Sequence, residues 1–255
     1  MPKTTIAAVL AAAVGGVLLG VPAAPLAAQE ASLEDVLAHH YEAIGGLEKW
    51  KALKSMRSTG KITLGPGIEA PFTVMFKRPG KVRLEFSFQG MTGVQAYDGA
   101  SAWMVMPFMG ITEPQAMPAD QAKQLVEQAD LDGPLVGWKE DGSQLELMGA
   151  EDVEGTSTYK LKLTRKDGEI RYYFLDAEHY LPIKTSGKAS FQGNEVDVDT
   201  TLGDYKPVNG LMVAHSISSN TAGQPTTITL DEIVFDVPLE DSLFAMPGKD
   251  ASGGA

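Results

Sequence analysis

From Ser55 onward the chain is written with a period of two. In Lys81-Val82-Arg83-Leu84-Glu85-Phe86-Ser87-Phe88 every second residue is apolar and the residues between are polar, the pattern of a strand with one buried face. Phe72, Val74 and Phe76 repeat the pattern just upstream. Alternating runs follow at Leu145 to Leu147, Tyr159 to Leu163, Ile170 to Leu175, Leu181 to Lys188, Glu195 to Leu202, Leu211 to Ile217 and Thr227 to Phe235. Asp167-Gly168 and Asn209-Gly210 fall between such runs as hairpin turns. Nearly the whole C-terminal half therefore reads as an antiparallel meander.

Two stretches break the period. Ser32-Leu33-Glu34-Asp35 begins a helix, with the serine as cap and Asp35 beside the positive end of the dipole. Leu33, Val36, Leu37, Tyr41 and Ile44 share one face, Gly45-Gly46 ends the element, and a short second turn carries Leu47, Trp50 and Leu53. Between Pro118 and Ala129, Ala122, Leu125, Val126 and Ala129 fall on one helical face, and Asp130-Leu131-Asp132-Gly133-Pro134 ends the segment. The expected fold is mainly β, with about ten strands in a strongly curved antiparallel sheet and amphipathic helices covering one face. A sheet covered in that way encloses a hollow.

Sulfur and aromatic rings are concentrated between Met91 and Met117. Trp103, Met104, Met106, Pro107, Phe108 and Met109 follow the turn Tyr97-Asp98-Gly99. Methionine is unbranched and polarizable, so such a cluster suits a surface that fits apolar groups of variable shape; it equally fills an irregular gap in a core.

The first 28 residues read as a secretory signal: Lys3, an apolar run from Ile6 to Val21, then Ala23-Ala24-Pro25-Leu26-Ala27-Ala28 ahead of the expected cleavage. With no cysteine in the chain there is no thiol to carry a diacylglycerol anchor and no disulfide, so the exported protein is expected to be soluble and held by its core. One domain is drawn over residues 29–247, with residues 248–255 as a disordered tail. With 33 acidic against 21 basic side chains the net charge is −12, which argues against nucleic acid and against an anionic membrane surface as partners.

Catalytic patterns are sparse. Gly99-Ala100-Ser101-Ala102-Trp103 lacks the last glycine of a nucleophile elbow and sits between a turn and a strand. Gly65-Pro66-Gly67-Ile68-Glu69-Ala70 has the spacing of a dinucleotide fingerprint but no helix after it. His39 and His40 are adjacent on a helix, His179 falls in a turn and His215 in a strand, with no metal-ligand spacing among them. Glu195, Asp197 and Asp199 share a strand face that reads as solvated rather than as a cation site. No metal, cofactor or nucleophile is expected. Lys77-Arg78-Pro79 closes a strand, leaving Arg78 either as a solvated strand-end arginine or as a rim guanidinium bonded to backbone carbonyls or to a head group.

These pieces resemble a family. Phe76-Lys77-Arg78-Pro79, then a strand, then Tyr97-Asp98-Gly99-Ala100-Ser101-Ala102-Trp103-Met104-Val105-Met106-Pro107-Phe108 is similar to the LolA/LolB superfamily of periplasmic lipoprotein carriers, with Met106 in place of the family's Asn before Pro-Phe. Asp132-Gly133-Pro134-Leu135, Glu151 to Gly155, Asp204-Tyr205-Lys206 and Asn209-Gly210 resemble a divergent subgroup of outer-membrane lipoprotein-sorting proteins. The resemblance implies an antiparallel half-barrel lidded by helices, with acyl chains bound between sheet and lid and no enzymatic activity.

It also implies that Arg78 helps hold the lid closed in the empty state. It further implies a monomeric periplasmic carrier that receives acylated lipoproteins from an inner-membrane ABC transporter and passes them to an outer-membrane acceptor. The expected lipid-binding set is Phe72, Val74, Phe76, Leu84, Phe86, Phe88, Met91, Trp103, Met104, Met106, Phe108 and Met109. A lipid or lipoprotein sensor of the same fold and a periplasmic hydrolase are the alternatives. The carrier reading has a physical motive, because a chain of about sixteen carbons forfeits roughly 12 kcal/mol when exposed to water.

Overall fold

Ser32 starts the first helix as the sequence leads one to expect. Its hydroxyl accepts from the Asp35 amide at 3.1 Å while the Asp35 carboxylate accepts from the Ser32 amide at 3.3 Å, so two orphan donors are satisfied reciprocally. The resulting helix α1 (Leu33–Ala43) buries Val36, Leu37 and His40; Gly45-Gly46 turns the chain into α2 (Leu47–Ala52). The computed structural model describes residues 31–64, 67–129, 131–191, 194–221 and 223–248, and the chain from Ser32 onward forms one compact unit. The expected signal segment and all of the expected tail except Gly248 lie outside the described residues.

The sheet is built by two meanders. The first comprises β1 (Ser55–Leu64), β2 (Ile68–Lys77), β3 (Lys81–Phe88), β4 (Met91–Tyr97), β5 (Ala102–Met106) and β6 (Ile111–Ala116). The second comprises β7 (Gln144–Val153), β8 (Thr156–Thr164), β9 (Ile170–Asp176), β10 (Pro182–Phe191), β11 (Asn194–Val208), β12 (Leu211–Thr221) and β13 (Gln224–Phe235). They join where β1 pairs antiparallel with β13, giving one open 13-stranded sheet with β6 and β7 at its edges. Thirteen strands replace the expected ten or so. β4 and β6 carry little alternation, and Pro114 is tolerated in β6 because that strand is an edge.

At the seam between the meanders the register shifts between Thr59 and Gly60. A Cβ at Gly60 would lie 2.0 Å from the Thr229 carbonyl oxygen, so only glycine permits that bulge and the local bend it gives the sheet.

Topology dictates the rest. β6 and β7 are consecutive in the chain yet lie on opposite edges, so the segment joining them must cross the whole sheet. It does so over the concave face. Its helix α3 (Ala119–Gln128) buries Leu125 against Val82, Met104, Met106 and Met117, and Leu131 then packs with Leu53, Leu211, Ile233 and Phe235. The opposite, convex face of β2 to β5 is covered by the C-terminal residues 237–248, in which Phe244 is fully buried.

Antiparallel pairing also sorts the turns by end. The turns β2–β3, β4–β5, β7–β8, β9–β10 and β11–β12 share one end of the sheet, and α1 and α2 dock there. His40 Nδ1 lies 2.9 Å from the Tyr180 carbonyl oxygen in the β9–β10 turn, and the Met212 amide donates to the Ile44 carbonyl at 3.0 Å. The turns β1–β2, β3–β4, β5–β6, β8–β9, β10–β11 and β12–β13 lie at the other end.

Candidate functional site

Between the concave face and the covering helices lies a cavity of about 1280 Å³. Its first wall follows from parity. On β2, Phe72, Val74 and Phe76 point inward; on β3, Leu84, Phe86 and Phe88 do so, and Phe72 and Phe86 are direct cross-strand partners. Phe108, from the 3-10 turn after β5, completes this wall by packing beside Phe86 and Phe88, with ring centroids 5.4 and 6.1 Å away. Its ring rests on Gly93 of β4, where a Cβ would come within 2.8 Å of the ring; any larger residue there would push Phe108 aside.

The second wall was not singled out in the sequence. Met56 and Ile62 of β1, Leu163 of β8, Tyr173 of β9, Leu202 and Tyr205 of β11, Ile217 of β12 and Ile228 and Leu230 of β13 line it. Their signal was present in the same alternation as in the first wall; what could not be read was that these strands curl round to face it. Tyr205 donates to the Pro182 carbonyl at 2.5 Å, and burial pushes the Tyr173 phenol up to about 12, so both remain neutral. Ser58, also in the wall, has a hydroxyl that is fully buried and has no hydrogen-bond partner among the described residues.

The expected lipid-contact residues divide. Phe72, Val74, Phe76, Leu84, Phe86, Phe88 and Phe108 line the cavity. Met104 and Met106 face the same side but are buried beneath α3, where they seat the crossing helix and do not line the hollow. Met91 and Met109 are exposed, Met109 at 69%, and neither lines the cavity. Trp103 is on the other face. It is 2% exposed, its indole donates to the Phe244 carbonyl at 2.7 Å, and the Arg83 guanidinium lies 5.7 Å from its ring centroid. Adjacent residues of a strand point to opposite faces, so Trp103 and Met104 cannot both line one hollow.

Arg78 lies in the β2–β3 turn, and its guanidinium fork is filled. Nε donates to the Leu53 carbonyl at 2.6 Å, Nη2 to the Trp50 carbonyl at 3.2 Å, and Nη1 to Asp132 Oδ2 at 2.6 Å, with Nη2 also reaching Asp132 Oδ1 at 2.5 Å. One side chain thus clasps the end of α2 and the crossing segment together. Lys51 of α2 makes a further ion pair with Glu140 on that segment, and Lys123 of α3 reaches Asp167 in the β8–β9 turn at 3.1 Å. Ile68, at the tip of the β1–β2 hairpin, and Val126 of α3 line the cavity while remaining 43% and 41% exposed, so the cavity meets solvent beside them.

The remaining sequence candidates do not converge. Ser101 caps the β4–β5 turn through Asp98, whose carboxyl is held below its ordinary range by backbone hydrogen bonds from Ser101 and Ala100 against the opposing effect of burial. Gly67 lies in the β1–β2 turn and Ile68 begins β2, whereas Gly65 and Pro66 lie outside the described residues. His39 stacks on Tyr180 and His179 hydrogen-bonds Asp176 within its turn. Glu195 and Asp199 pair with Lys188 and Lys184 across β10 and β11. Among the described residues no group of three or more His, Cys, Asp or Glu is placed to hold a metal ion.

An open, curved antiparallel sheet with helices over its concave face is the fold of the LolA superfamily. A LolA superfamily protein from Nitrosomonas europaea superposes with a TM-score of 0.57 at 14% identity, covering 84% of this chain and 97% of that one. A domain assigned to outer membrane lipoprotein sorting from Vibrio parahaemolyticus gives 0.55 at 15% identity, covering 82% and 94%. A DUF1329 family protein from Desulfovibrio piger gives 0.53 at 15% identity, covering 82% and 97%. No family model matches the sequence, and no curated protein matches it. The likeness is one of fold.

Proposed function

We propose that this protein binds the acyl chains of lipoproteins, or of a related lipid, in the concave cavity and carries them through the periplasm without covalent chemistry. The observation that carries the reading is the cavity itself: about 1280 Å³ of hollow faced by six inward aromatic and aliphatic side chains of β2 and β3. Ligand pockets for small molecules run to about 1,000 Å³, so this one suits something longer, such as acyl chains. The fold it shares with a domain assigned to outer membrane lipoprotein sorting supports the same reading. On this reading the N-terminal 28 residues are an export signal, and the carrier works as a monomer between an inner-membrane ABC transporter and an outer-membrane acceptor.

In this scheme Arg78 controls the lid. The helices and the crossing segment close over the ligand, and the clasp on Asp132, Trp50 and Leu53 sets how readily they part. The methionines beneath α3 help, because a flexible cushion lets the helix reseat after movement.

The test is saturable binding of a fluorescent fatty acyl ester to the purified protein, compared with the variant Phe72→Gln/Phe86→Gln. Each buried amide costs about 1–3 kcal/mol when unsatisfied, so binding should weaken by at least about tenfold. A folded variant that binds as wild type does, or a wild type that binds no acyl ester, overturns the proposal.

A further inference from the structure

The cavity's wall carries a single lysine or arginine among the described residues, Arg165. It stands where β8 passes into the β8–β9 turn, at the same end of the sheet as Ile68, where the cavity meets solvent. The turn is rigidly formed: the Arg165 amide donates to the Glu169 carbonyl at 2.8 Å, and the Gly168 amide to the Arg165 carbonyl at 2.9 Å.

The charges around Arg165 leave its guanidinium loosely held. Glu169 Oε1 is taken by Arg171 Nη2 at 2.6 Å, and its other oxygen approaches Arg165 Nε only to 4.0 Å. Asp167, the other acid of the turn, is engaged by Lys123 of α3 at 3.1 Å. Residues 165–171 therefore hold three basic side chains against two acidic ones, each acid with a closer partner, in a chain whose net charge is −12. Otherwise the wall is apolar except for neutral groups, His40, Asp132 clasped by Arg78, and Asp141, which precedes β7 at the same end of the sheet as Arg165, since Gln144 pairs with Thr164. A cation facing an apolar hollow at its solvent boundary is placed to meet an anion attached to an apolar tail.

From this we infer that the natural ligand is an amphiphile with an anionic head, a phosphate or a carboxylate, bound tail-inward with Arg165 as the head-group ligand. This rests on the acyl-carrier reading and deepens it by giving the ligand a charge and a direction. The helix-plugged end of the sheet takes the tails, and the end bearing the β1–β2 and β8–β9 turns presents the head to solvent.

The experiment uses displacement of an uncharged fluorescent acyl ester by two competitors with the same tail, monopalmitoylglycerol and monopalmitoylglycerol phosphate, with glycerol phosphate as the tail-free arm. Wild type should bind the phosphate form about tenfold more tightly than the neutral form, the scale of a charge-assisted hydrogen bond. Arg165→Gln should abolish that preference and leave monopalmitoylglycerol binding unchanged, which also shows that the variant is folded. Lys166→Gln, at the exposed neighbouring position, should keep it.

Equal binding of the two lipids by wild type, or an undiminished preference in Arg165→Gln, overturns the head-group assignment while leaving the acyl cavity standing. Glycerol phosphate binding as tightly as its acylated form overturns it too, because the site would then be one for a free anion. Failure of wild type to bind the ester or either lipid removes the carrier reading and this inference together.

Discussion

The two faces of β2 to β5 carry the same alternation and meet opposite fates. On the concave face Val74, Phe76, Leu84 and Phe86 remain half-buried, with a hollow where packing partners would be. On the convex face, polar side chains and Trp103 are sealed by the C-terminal residues, which also reach Ser55 of the neighbouring β1. Ser55 donates to the Val237 carbonyl at 2.6 Å, Lys77 to that of Leu239 at 2.6 Å, Arg83 to that of Leu243 at 2.7 Å and Trp103 to that of Phe244 at 2.7 Å. The segment has no strand of its own to satisfy these carbonyls, so the side chains of the sheet do so, and Met75, Leu239 and Phe244 fill the space between. One face is thus sealed by the chain's own C-terminal residues, and the other fronts a hollow.

The sharpest way to break that contrast is to remove a large ring from each face. Trp103→Ala or Phe244→Ala empties a packed site and, for Trp103, leaves the Phe244 carbonyl without its donor. A loss of about 3–5 kcal/mol in denaturant unfolding is expected. Phe86→Ala enlarges an existing hollow and should cost less than half as much while weakening acyl-ester binding. Equal destabilisation on both faces would mean that the concave face is a core after all.

A smaller effect is expected at the clasp. Asp132 has 15% of its side chain exposed and Arg78 31%, so the pair lies between a surface ion pair and a buried one. Arg78→Leu leaves the Asp132 carboxylate and two carbonyls short of donors and should lower stability by about 1–3 kcal/mol. Its distinctive consequence is kinetic: release of a bound acyl ester into vesicles should quicken several-fold. Release at the wild-type rate from the destabilised variant would make Arg78 a structural residue only.

How far the sequence discloses this contrast depends on parity. The alternation in β2 and β3 names the inward residues correctly, and the helix boundaries at Ser32 and Pro118 follow from capping and periodicity. Trp103 is a chain neighbour of Met104, yet the strand period puts the two on opposite faces. The convex cover was invisible because residues 237–248 have neither period, and the polar residues of β2 and β3 looked solvated for the same reason. The family resemblance pointed to Arg78, yet its partner Asp132 lies 54 residues away with no local pattern to announce it. The second wall required knowing that β1 pairs with β13, a contact between the two ends of the sheet region.

The smallest expected effect concerns the plugged end of the cavity. His40 is 3% exposed, and burial holds its pKa below the ordinary 6.5, with the Tyr180 carbonyl opposing that shift. Because that carbonyl can only accept, Nδ1 carries the proton of the neutral ring. The unfolded chain then binds a proton more readily than the folded one between the depressed value and 6.5. The stabilisation associated with neutral His40 is therefore complete above about pH 6.5 and is lost as pH falls from there toward the depressed value. His40→Gln should flatten that part of the stability profile, measured as the difference between denaturant midpoints at pH 7.5 and pH 5.5 in wild type and variant. An unchanged slope would mean that α1 tolerates a charged His40, and that the plugged end is as adaptable as the open one.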